Sequence, residues 1–256
     1  MNPETAIIIR CRNEERWIGE TLQRLSAQTY QDFEIILVDS GSTDKTLSIA
    51  KAYPVKIVCI KPEEFTYPFA INVGIKNSTA KKYLVILSAH SLPINKHWLE
   101  KGINNFSSQP NVLGVYGPVK PLPGSTIWDK LFHYTSYLIS AGRMFPGRSA
   151  VIEKDGMGTL GFTNAIIRKD LWDTYPINES YAAGGEDGDW MRHFLTKGYV
   201  AIKDLDFTVL HSHNLDFVSW KKQLQHWGEV SSPLPFSHLS FRKDSAHTPI
   251  KTDKLF

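Results

Sequence analysis

The sequence lacks the features of a membrane-spanning, secreted or metal-thiolate protein. No apolar run approaches the roughly 20 residues that cross a bilayer, and residues 1–5 lack the basic stretch that opens a signal peptide. Only two cysteines occur, Cys11 and Cys59, and their wide spacing matches neither a zinc site nor a redox pair. These absences predict a cytoplasmic protein in which both cysteines are buried thiols.

The charge balance also excludes several classes of protein. The 29 basic and 26 acidic residues leave a net charge of +3, which is too small to indicate a nucleic-acid partner. Apolar residues make up 42% of the 256 positions and charged residues 21%, so neither a disordered nor a fibrous chain is expected. The slight positive charge suits a protein that handles phosphates or contacts an anionic membrane.

Strands and helices alternate along the first half of the chain. Apolar runs predict strands at 5–10, 33–38, 55–60, 83–87 and 112–119. Helices are predicted after Asn13 as N-cap, from Asp44 as N-cap to about residue 53, at 69–77 and at 95–105. This alternation predicts an α/β fold with a mostly parallel central sheet flanked by helices.

Four chemically active side chains lie at or just past the ends of three predicted strands. They are Arg10, Arg12, Asp39 and His90. In an open α/β sheet, ligands bind beyond the carboxyl ends of the strands. The sheet alone should therefore place a basic pair, a carboxylate and an imidazole around one crevice.

Residues 156–161 match the GxGxxG pattern of dinucleotide sites, but the surrounding sequence does not fit that function. The pattern needs a strand before the glycines and a helix N-terminus after them to hold a pyrophosphate. Residues 151–155 are only weakly strand-like, and residues 162–167 read as a strand. We interpret the match as a loop near the active site.

Residues 7–46, IIIRCRNEERWIGETLQRLSAQTYQDFEIILVDSGSTDKT, resemble the N-terminus of family 2 glycosyltransferases, which have the GT-A fold. The likeness continues through FAINVG at 69–74 and GEDGDW at 185–190, and is greatest for bacterial polysaccharide transferases such as rhamnosyltransferases. It implies a GT-A domain at 1–215, with a nucleotide-binding half at 1–120 and an acceptor-binding half at 121–215. A C-terminal amphipathic helix and tail would follow at 216–256.

The resemblance implies an inverting glycosyltransferase of cell-surface polysaccharide synthesis. Its donor would be a UDP- or dTDP-sugar, and its acceptor a hydroxyl of a saccharide or lipid-linked molecule. Inversion by a single displacement needs one carboxylate to take the acceptor proton. The family carries this base in the pair Glu186 and Asp187; we expect Asp187 to be the base and Glu186 to position the donor or acceptor. Acidic residues also suit a first helical turn without any chemistry.

The resemblance also implies a nucleotide site. Asp39 would accept the imide N–H of uracil or thymine, Asn72 would face the nucleotide, and Asn164 would face the sugar; each is alternatively a turn or capping residue. Arg10 and Arg12 would pair with phosphate or stack on the base, or remain solvated.

One departure from the family concerns the DxD motif, whose carboxylate holds a divalent cation against the diphosphate. Here the triplet is Ser88-Ala89-His90. Imidazole suits Mn²⁺ better than Mg²⁺, and Ser88 would hold a metal-bound water. The family also often has a C-terminal histidine ligand near His211 and His213, which share a face if extended. We expect Mn²⁺ or Mg²⁺ on His90 and His211. The alternatives are a metal-free site and a sugar-nucleotide-binding protein without catalysis.

Two aromatic stretches, at 128–138 and 217–227, have helical spacing. We expect them to pack on the core. The alternative is a peripheral contact with the cytoplasmic membrane, where Arg143 and Arg148 would meet the phosphates of a lipid-linked acceptor. Residues beyond 235 are expected to be poorly ordered.

Overall fold

The computed structural model describes residues 2–155, 160–181 and 184–231. The order of its helices and strands is β1 (Thr5–Cys11), α1 (Ile18–Ser26), β2 (Phe33–Asp39), α2 (Thr46–Ala50), β3 (Val55–Cys59), α3 (Tyr67–Lys76), β4 (Tyr83–Ser88), β5 (Leu92–Pro93), α4 (Trp98–Asn104), β6 (Val112–Tyr116), β7 (Val119–Lys120), α5 (Ile127–Met144), β8 (Ser149–Ile152), β9 (Asn164–Arg168), α6 (Lys169–Thr174), α7 (Glu186–Leu195), β10 (Val200–Asp204), β11 (Val209–Leu210) and α8 (Phe217–Ser231).

The main sheet has eight strands in the order β3-β2-β1-β4-β9-β6-β10-β8. The pairings among β3, β2, β1 and β4 are parallel, as is that of β6 with β10. Strand β9 runs antiparallel to both β4 and β6, and β8 runs antiparallel to β10. The expected α/β fold with a mostly parallel central sheet is therefore confirmed. A second sheet joins β5, β11 and β7.

The sheet is buried on both faces, as the continuous isoleucine run of β1 predicts. Ile7 and Ile9 belong to the core on the side of α1 and α4, whereas Ile8 belongs to the core on the side of α3 and α7. Helix α3 lies close against β1 because it carries Gly74, where an added Cβ would overlap the Ile8 side chain. These two cores hold the strand ends, and with them the polar residues beyond, in fixed positions.

The predicted helix cap at Asn13 is wrong. Helix α1 begins at Ile18, and Asn13 has a left-handed φ of 55° in the preceding loop. Its Oδ1 accepts a hydrogen bond from the Thr43 N–H (2.8 Å), and its own N–H donates to the Ser42 hydroxyl (2.9 Å). The β1–α1 loop is thus tied to the β2–α2 loop, because asparagine tolerates this backbone conformation and bonds locally.

Several other boundaries differ from the sequence prediction. The predicted strand at 112–119 divides at Gly117 and Pro118 into β6 and β7, which belong to different sheets. Proline has no N–H to donate to a ladder, so pairing is interrupted there. The prediction that both cysteines are buried is wrong for Cys59, which is exposed on β3 at the edge of the sheet, whereas Cys11 is buried.

Helix α5 contacts the protein through a mainly polar stripe. The expected packing of its aromatic face is wrong for Trp128, Leu131 and Leu138, which are exposed, whereas Phe132 packs on Trp220 of α8 with ring centroids 4.2 Å apart. Its buried residues are Asp129, His133, Ser140 and Met144. The Asp129 carboxylate accepts hydrogen bonds from the Trp220 indole N–H of α8 and from the Asn214 N–H, both at 2.7 Å. Six large hydrophobic side chains of α5 are exposed: Ile127, Trp128, Leu131, Tyr134, Leu138 and Ile139.

The C-terminal helix predicted from residue 216 corresponds to α8. Within it Trp220 is buried, whereas Phe217 and Leu224 are exposed. In the part of the chain that the structure describes, no helix has both the length and the apolar character of a membrane span. The expectation of disorder beyond residue 235 lies outside the described residues.

Candidate active site

The ends of three neighbouring strands bring the first predicted residues together. In the parallel register, Cys11 of β1 pairs with Asp39 of β2, and Arg10 pairs with Ser88 of β4. Arg10, Asp39 and Ser88 therefore lie at one edge of the sheet, with His90 two residues beyond β4. Arg12 follows β1 and is exposed.

Asp39 is buried, and its carboxylate bonds to its own turn. It accepts hydrogen bonds from the N–H groups of Gly41 and Ser42 (each 3.0 Å) and from the Cys11 thiol (3.5 Å). Burial, and next the negative charge of Asp39, raise the pKa of that thiol, so Cys11 remains protonated. Asp39 thus shapes the loop after β2, and nucleobase recognition by it stays a prediction.

Glu186 and Asp187 open helix α7, after Gly185 in the left-handed conformation that glycine favours (φ 96°). Glu186 is buried and Asp187 half-buried. Burial, together with the neighbouring Asp187 charge, raises the pKa of Glu186 to about 7. Burial also raises the pKa of Asp187, but hydrogen bonds from the Gly188 (2.7 Å) and Phe162 N–H groups oppose the rise. Burial thus raises the pKa of both carboxyls, and in Asp187 the backbone hydrogen bonds limit the rise.

The third acidic residue of this segment, Asp189, is held in place by two tyrosines. It accepts hydrogen bonds from the hydroxyls of Tyr175 (2.9 Å) and Tyr181 (3.0 Å). Asp189 is thereby turned toward the tyrosines that flank the start of α7. This leaves Glu186 and Asp187 as the acidic groups of this segment that are placed for chemistry.

Arg10 is the cation of the site. Its Nη2 donates to the Phe162 carbonyl (3.0 Å), and its guanidinium lies 5.1 Å from the centre of the Tyr67 ring. Burial lowers the pKa of Arg10, while the charges of Glu186, Tyr67 and Asp187 oppose that effect. Its buried Nε has no hydrogen-bond partner among the described residues. Arg10 thus has unused donor capacity beside the carboxylate pair.

Three histidines form a cluster at the other side of the crevice. The rings of His90 and His211 are stacked with centroids 4.4 Å apart, and the Nε2 atoms of His211 and His213 lie 3.0 Å apart. Burial and then the neighbouring imidazoles lower the pKa of His211 well below its usual value and that of His213 to about 3. Both rings are therefore neutral near pH 7, as metal ligation requires. One potential ligand atom from each histidine lies within 4.8 Å of the others.

Glu14 is a site residue that the sequence analysis missed. Its Oε1 lies 2.8 Å from His90 Nδ1, and its backbone N–H donates to the Thr46 hydroxyl (2.7 Å). The helix predicted after Asn13 would place Glu14 in its first turn, where an acidic charge suits the helix dipole without any chemistry. The signal that could have found it is an acidic residue after β1 opposite a histidine after the adjacent β4.

Residues 162–164 lie between the carboxylate pair and the histidine cluster. Phe162 bonds to Arg10 and Asp187, while the Thr163 carbonyl accepts hydrogen bonds from the Ser88 N–H (3.3 Å) and the Ser91 hydroxyl (3.2 Å). Ser91 in turn contacts His211 Nδ1 (3.1 Å). One segment therefore connects both groups. Residues 156–159 of the GxGxxG match lie outside the described residues, but a strand, β9, follows the match as predicted.

The two predicted asparagines have protein partners. Asn72, within α3, donates to the Ile177 carbonyl (2.7 Å) and the Glu179 carboxylate (2.8 Å), and accepts from the Trp172 indole (2.9 Å). Asn164 donates to the Phe207 carbonyl (2.6 Å), while its buried Oδ1 has no partner among the described residues. A ligand role for either asparagine stays a prediction.

Comparison with known sequences identifies the family. A family model described as Glycosyl transferase family 2 matches residues 6–175. The chain belongs to this family. Among curated relatives, the O-antigen chain rhamnosyltransferase WbaN of Salmonella anatum is 25% identical over 201 residues, which cover 78% of this chain and 62% of the relative. The poly-β-1,6-N-acetyl-D-glucosamine synthase of Staphylococcus aureus is 28% identical over 199 residues, covering 75% and 46%.

Solved structures show the GT-A fold for this family 2 member. The mannosyltransferase PcManGT of Pyrobaculum calidifontis, solved with GDP-Man and Mn²⁺, superposes with a TM-score of 0.62 at 18% identity. That superposition covers 90% of this chain and 64% of the mannosyltransferase chain. TarS of S. aureus, residues 1–349, superposes with a TM-score of 0.61 at 19% identity, covering 90% and 64%. The family 2 chain thus spans less than two thirds of the length of these relatives.

Proposed function

We propose that this chain is an inverting glycosyltransferase that uses a UDP- or dTDP-sugar as donor. The acceptor is a hydroxyl of a saccharide or of a lipid-linked molecule, and the product belongs to a cell-surface polysaccharide. The named rhamnosyltransferase and polysaccharide synthase among the relatives support this class of product. The observation that carries the proposal is the buried pair Glu186–Asp187 beside Arg10, at the same sheet edge as the histidine cluster.

Asp187 is proposed as the general base. It is half-buried, and its Oδ2 lies 3.9 Å from where a Cβ would stand on Gly161, so no side chain at that position blocks the carboxylate. The hydrogen bonds from Gly188 and Phe162 favour its ionised form. As the acceptor oxygen bonds to the anomeric carbon, Asp187 takes the hydroxyl proton. The bond from that carbon to the diphosphate oxygen breaks, and its electron pair leaves with the diphosphate.

Glu186 and Arg10 have supporting roles in this proposal. Glu186 retains a proton near neutral pH, so its carboxyl can donate a hydrogen bond to a sugar oxygen as well as accept one. Arg10 has an unpartnered Nε and lies between the acidic pair and His211, whose pKa its charge helps to lower. A cation in this position stabilises the negative charge that develops on the leaving diphosphate.

A divalent cation is part of the proposal, and the residues present fit one. His90 Nε2 is buried without a hydrogen-bond partner among the described residues, although a buried ring nitrogen normally has one. We propose that His90 and His211 hold the ion in place of the DxD carboxylates. When bound there, a divalent ion neutralises charge on the diphosphate.

The experiment that tests the proposal compares nucleotide binding with sugar transfer. Calorimetric titration with UDP, dTDP, GDP and CMP, each with Mn²⁺ and with EDTA, identifies the nucleotide that the chain binds. Release of that nucleotide from its sugar donors, with saccharide or lipid-linked acceptors, then measures transfer. The variant Asp187→Asn should retain nucleotide binding and lose about 10²–10⁴-fold in kcat, the usual contribution of a general base.

The matched control is Asp173→Asn. Asp173 is an exposed helical aspartate paired with Lys169 (2.8 Å), so its replacement should leave transfer unchanged. Wild-type turnover by Asp187→Asn would refute its role as base. Nucleotide binding by the wild type without transfer or donor hydrolysis, across the acceptors and metals, would favour a binding protein without catalysis instead.

We also propose that α5 and α8 contact the cytoplasmic face of an anionic membrane. Ile127, Leu131 and Leu138 of α5 are 60–69% exposed, and Phe217 of α8 (57%) contacts Trp128 across the two helices. Exposed apolar side chains at this spacing form one face of a helix. The exposed basic residues of the two helices include Lys130, Arg143, Lys221 and Lys222. This combination of an apolar face with basic neighbours is typical of helices that lie on anionic lipid surfaces.

Co-sedimentation with lipid vesicles tests this contact. The wild type should sediment with phosphatidylcholine–phosphatidylglycerol vesicles at low salt, less so at high salt, and weakly with phosphatidylcholine alone. The double variant Leu131→Ser/Leu138→Ser should lose binding, whereas Val151→Ser, at an exposed apolar position on β8, should retain it. Failure of the wild type to sediment would refute the proposal. Self-association abolished by the double variant would instead identify the face as a contact between two copies.

A further inference from the structure

We infer that His90, His211 and His213 together form a three-imidazole site for a transition-metal dication of the Zn²⁺ or Co²⁺ type, selective against Mg²⁺. Glu14 and Ser91 are its positioning residues. The inference deepens the proposed function, on which it rests for the role of the ion in transfer. Ion binding itself can be tested without any sugar donor.

The three histidines bring their ligand atoms close together. The three ligand atoms lie within 4.8 Å of one another, and each histidine is buried or half-buried. A Zn–N bond is about 2.1 Å, so two ligands of one ion lie at most about 4.2 Å apart. Small side-chain rotations are therefore enough to bring all three nitrogens to one ion. His213 thereby becomes a third ligand beside the two expected from the sequence.

Glu14 and Ser91 orient the rings of His90 and His211. The Glu14 carboxylate lies 2.8 Å from His90 Nδ1, so this nitrogen carries the proton and Nε2 keeps its lone pair. The Ser91 hydroxyl contacts His211 Nδ1 (3.1 Å), which leaves His211 Nε2 directed at His213. A carboxylate or hydroxyl on the distal nitrogen is the usual support of a metal-binding histidine, because it fixes the ring and raises its basicity.

The ligands of this cluster are nitrogen atoms, which determine the metal that it would select. The described cluster consists only of imidazoles, and the Glu14 carboxylate contacts the outer nitrogen of His90. Imidazole ligands suit Zn²⁺, Cu²⁺, Ni²⁺ and Co²⁺, whereas Mg²⁺ requires oxygen ligands in nearly octahedral geometry. Replacement of DxD carboxylates by imidazoles should therefore shift preference away from Mg²⁺.

The test uses the full chain stripped of metal, without nucleotide. Calorimetric titration should show one Zn²⁺ or Co²⁺ bound per chain and at least 100-fold weaker binding of Mg²⁺. Bound Co²⁺ should show the intense visible absorption of a low-coordinate nitrogen site, which is independent of activity. Glu14→Gln should weaken Zn²⁺ binding by about 10–100-fold, the usual effect of removing a carboxylate that holds the outer nitrogen of a ligating histidine.

The matched control is Glu100→Gln. Glu100 makes the same type of contact with His97 (3.2 Å), but both are exposed, so its removal should leave Zn²⁺ affinity unchanged. His213→Gln should change the Co²⁺ spectrum and weaken binding, and circular dichroism and thermal denaturation establish that each variant is folded. Three results would overturn the inference: no Zn²⁺ or Co²⁺ binding, Mg²⁺ binding of equal affinity, or folded Glu14→Gln and His213→Gln variants with wild-type affinity and spectrum. Zn²⁺ binding without any transfer would refute the proposed glycosyl transfer and leave this inference standing. Transfer in EDTA by a chain that binds no Zn²⁺ would refute this inference and the proposed ion on His90 and His211, and leave glycosyl transfer standing.

Discussion

Replacing Glu186 with glutamine should remove a large part of the pH dependence of stability. Glu186 is 5% exposed, and burial with the adjacent Asp187 charge raises its pKa from 4.5 to about 7. The unfolded chain releases this proton near pH 4.5, whereas the folded chain retains it to about pH 7. Between these values the folded state binds the extra proton, so stability falls as the pH rises. Glutamine keeps the shape of the side chain and has no proton to lose.

The magnitude follows from the pKa difference. Each pKa unit corresponds to about 1.4 kcal/mol at 25 °C, so the rise from 4.5 to about 7 is worth roughly 3 kcal/mol. The destabilisation is absent below pH 4.5 and complete above about pH 7. The wild type therefore loses stability as the pH rises from 4.5 to 8, and the variant Glu186→Gln does not. The difference in the free energy of unfolding, Glu186→Gln minus wild type, should increase by roughly 3 kcal/mol over this range.

Urea denaturation followed by circular dichroism across this pH range measures the effect. The exposed carboxyl of Glu153 provides a control, since Glu153→Gln should follow the wild-type profile at every pH. The reasoning would be refuted by parallel stability profiles for Glu186→Gln and the wild type. That result would mean that Glu186 is ionised in the folded protein at pH 5, and it would remove the proposed hydrogen-bond donor from the active site.

Two further predictions concern the fold. Gly117→Ala should prevent native folding, because a Cβ there would overlap the Phe207 carbonyl oxygen. Gly142→Ala, at a position of α5 where a Cβ would meet no other atom, should raise the free energy of unfolding by about 0.5–1 kcal/mol. Thermal and urea denaturation measure the stability of both variants. Equal changes in stability for Gly117→Ala and Gly142→Ala would contradict this reasoning. Asp129→Ala should lower the free energy of unfolding by about 1–3 kcal/mol, because it removes the carboxylate that accepts the buried Trp220 indole N–H (2.7 Å). Hydrogen exchange in α8 should then accelerate, and an unchanged rate would show that Asp129 does not hold this helix.

Much of the fold could be predicted because strands buried on both faces have a strong sequence signature. The isoleucines of β1 alternate between two cores, so the strand appears in the sequence as an uninterrupted apolar run. The attachment of α5 has no such signature. Its buried face centres on Asp129, a charged residue that no apolar periodicity would identify as buried. Asp129 is buried because Trp220 and Asn214 donate hydrogen bonds to it. Periodicity therefore selected the opposite, exposed face as the packing surface.

Part of the candidate site could be predicted, because parallel strands have their carboxyl ends at the same edge of the sheet. This rule placed Arg10, Asp39 and His90 together, because each lies at or just past the carboxyl end of a strand. It could not place Glu14, since the contact with His90 depends on a loop whose left-handed residue at Asn13 delays the start of α1. The association of His213 with His90 likewise depends on a non-helical segment after β11, for which the sequence contains no periodic signal.

In the proposed metal site, imidazoles in place of DxD carboxylates would change the charge that the site presents to a diphosphate. Carboxylate ligands cancel part of the charge of a divalent ion, whereas neutral imidazoles leave it at the full 2+. Without an ion, the charge of Arg10 is opposed by the acidic pair Glu186 and Asp187, so the site has no excess of positive charge to attract a diphosphate. With an ion on three neutral rings, the attraction is stronger than in a site whose ligands are acidic. The loss of DxD is therefore compatible with catalysis, provided that the histidine cluster binds its ion tightly.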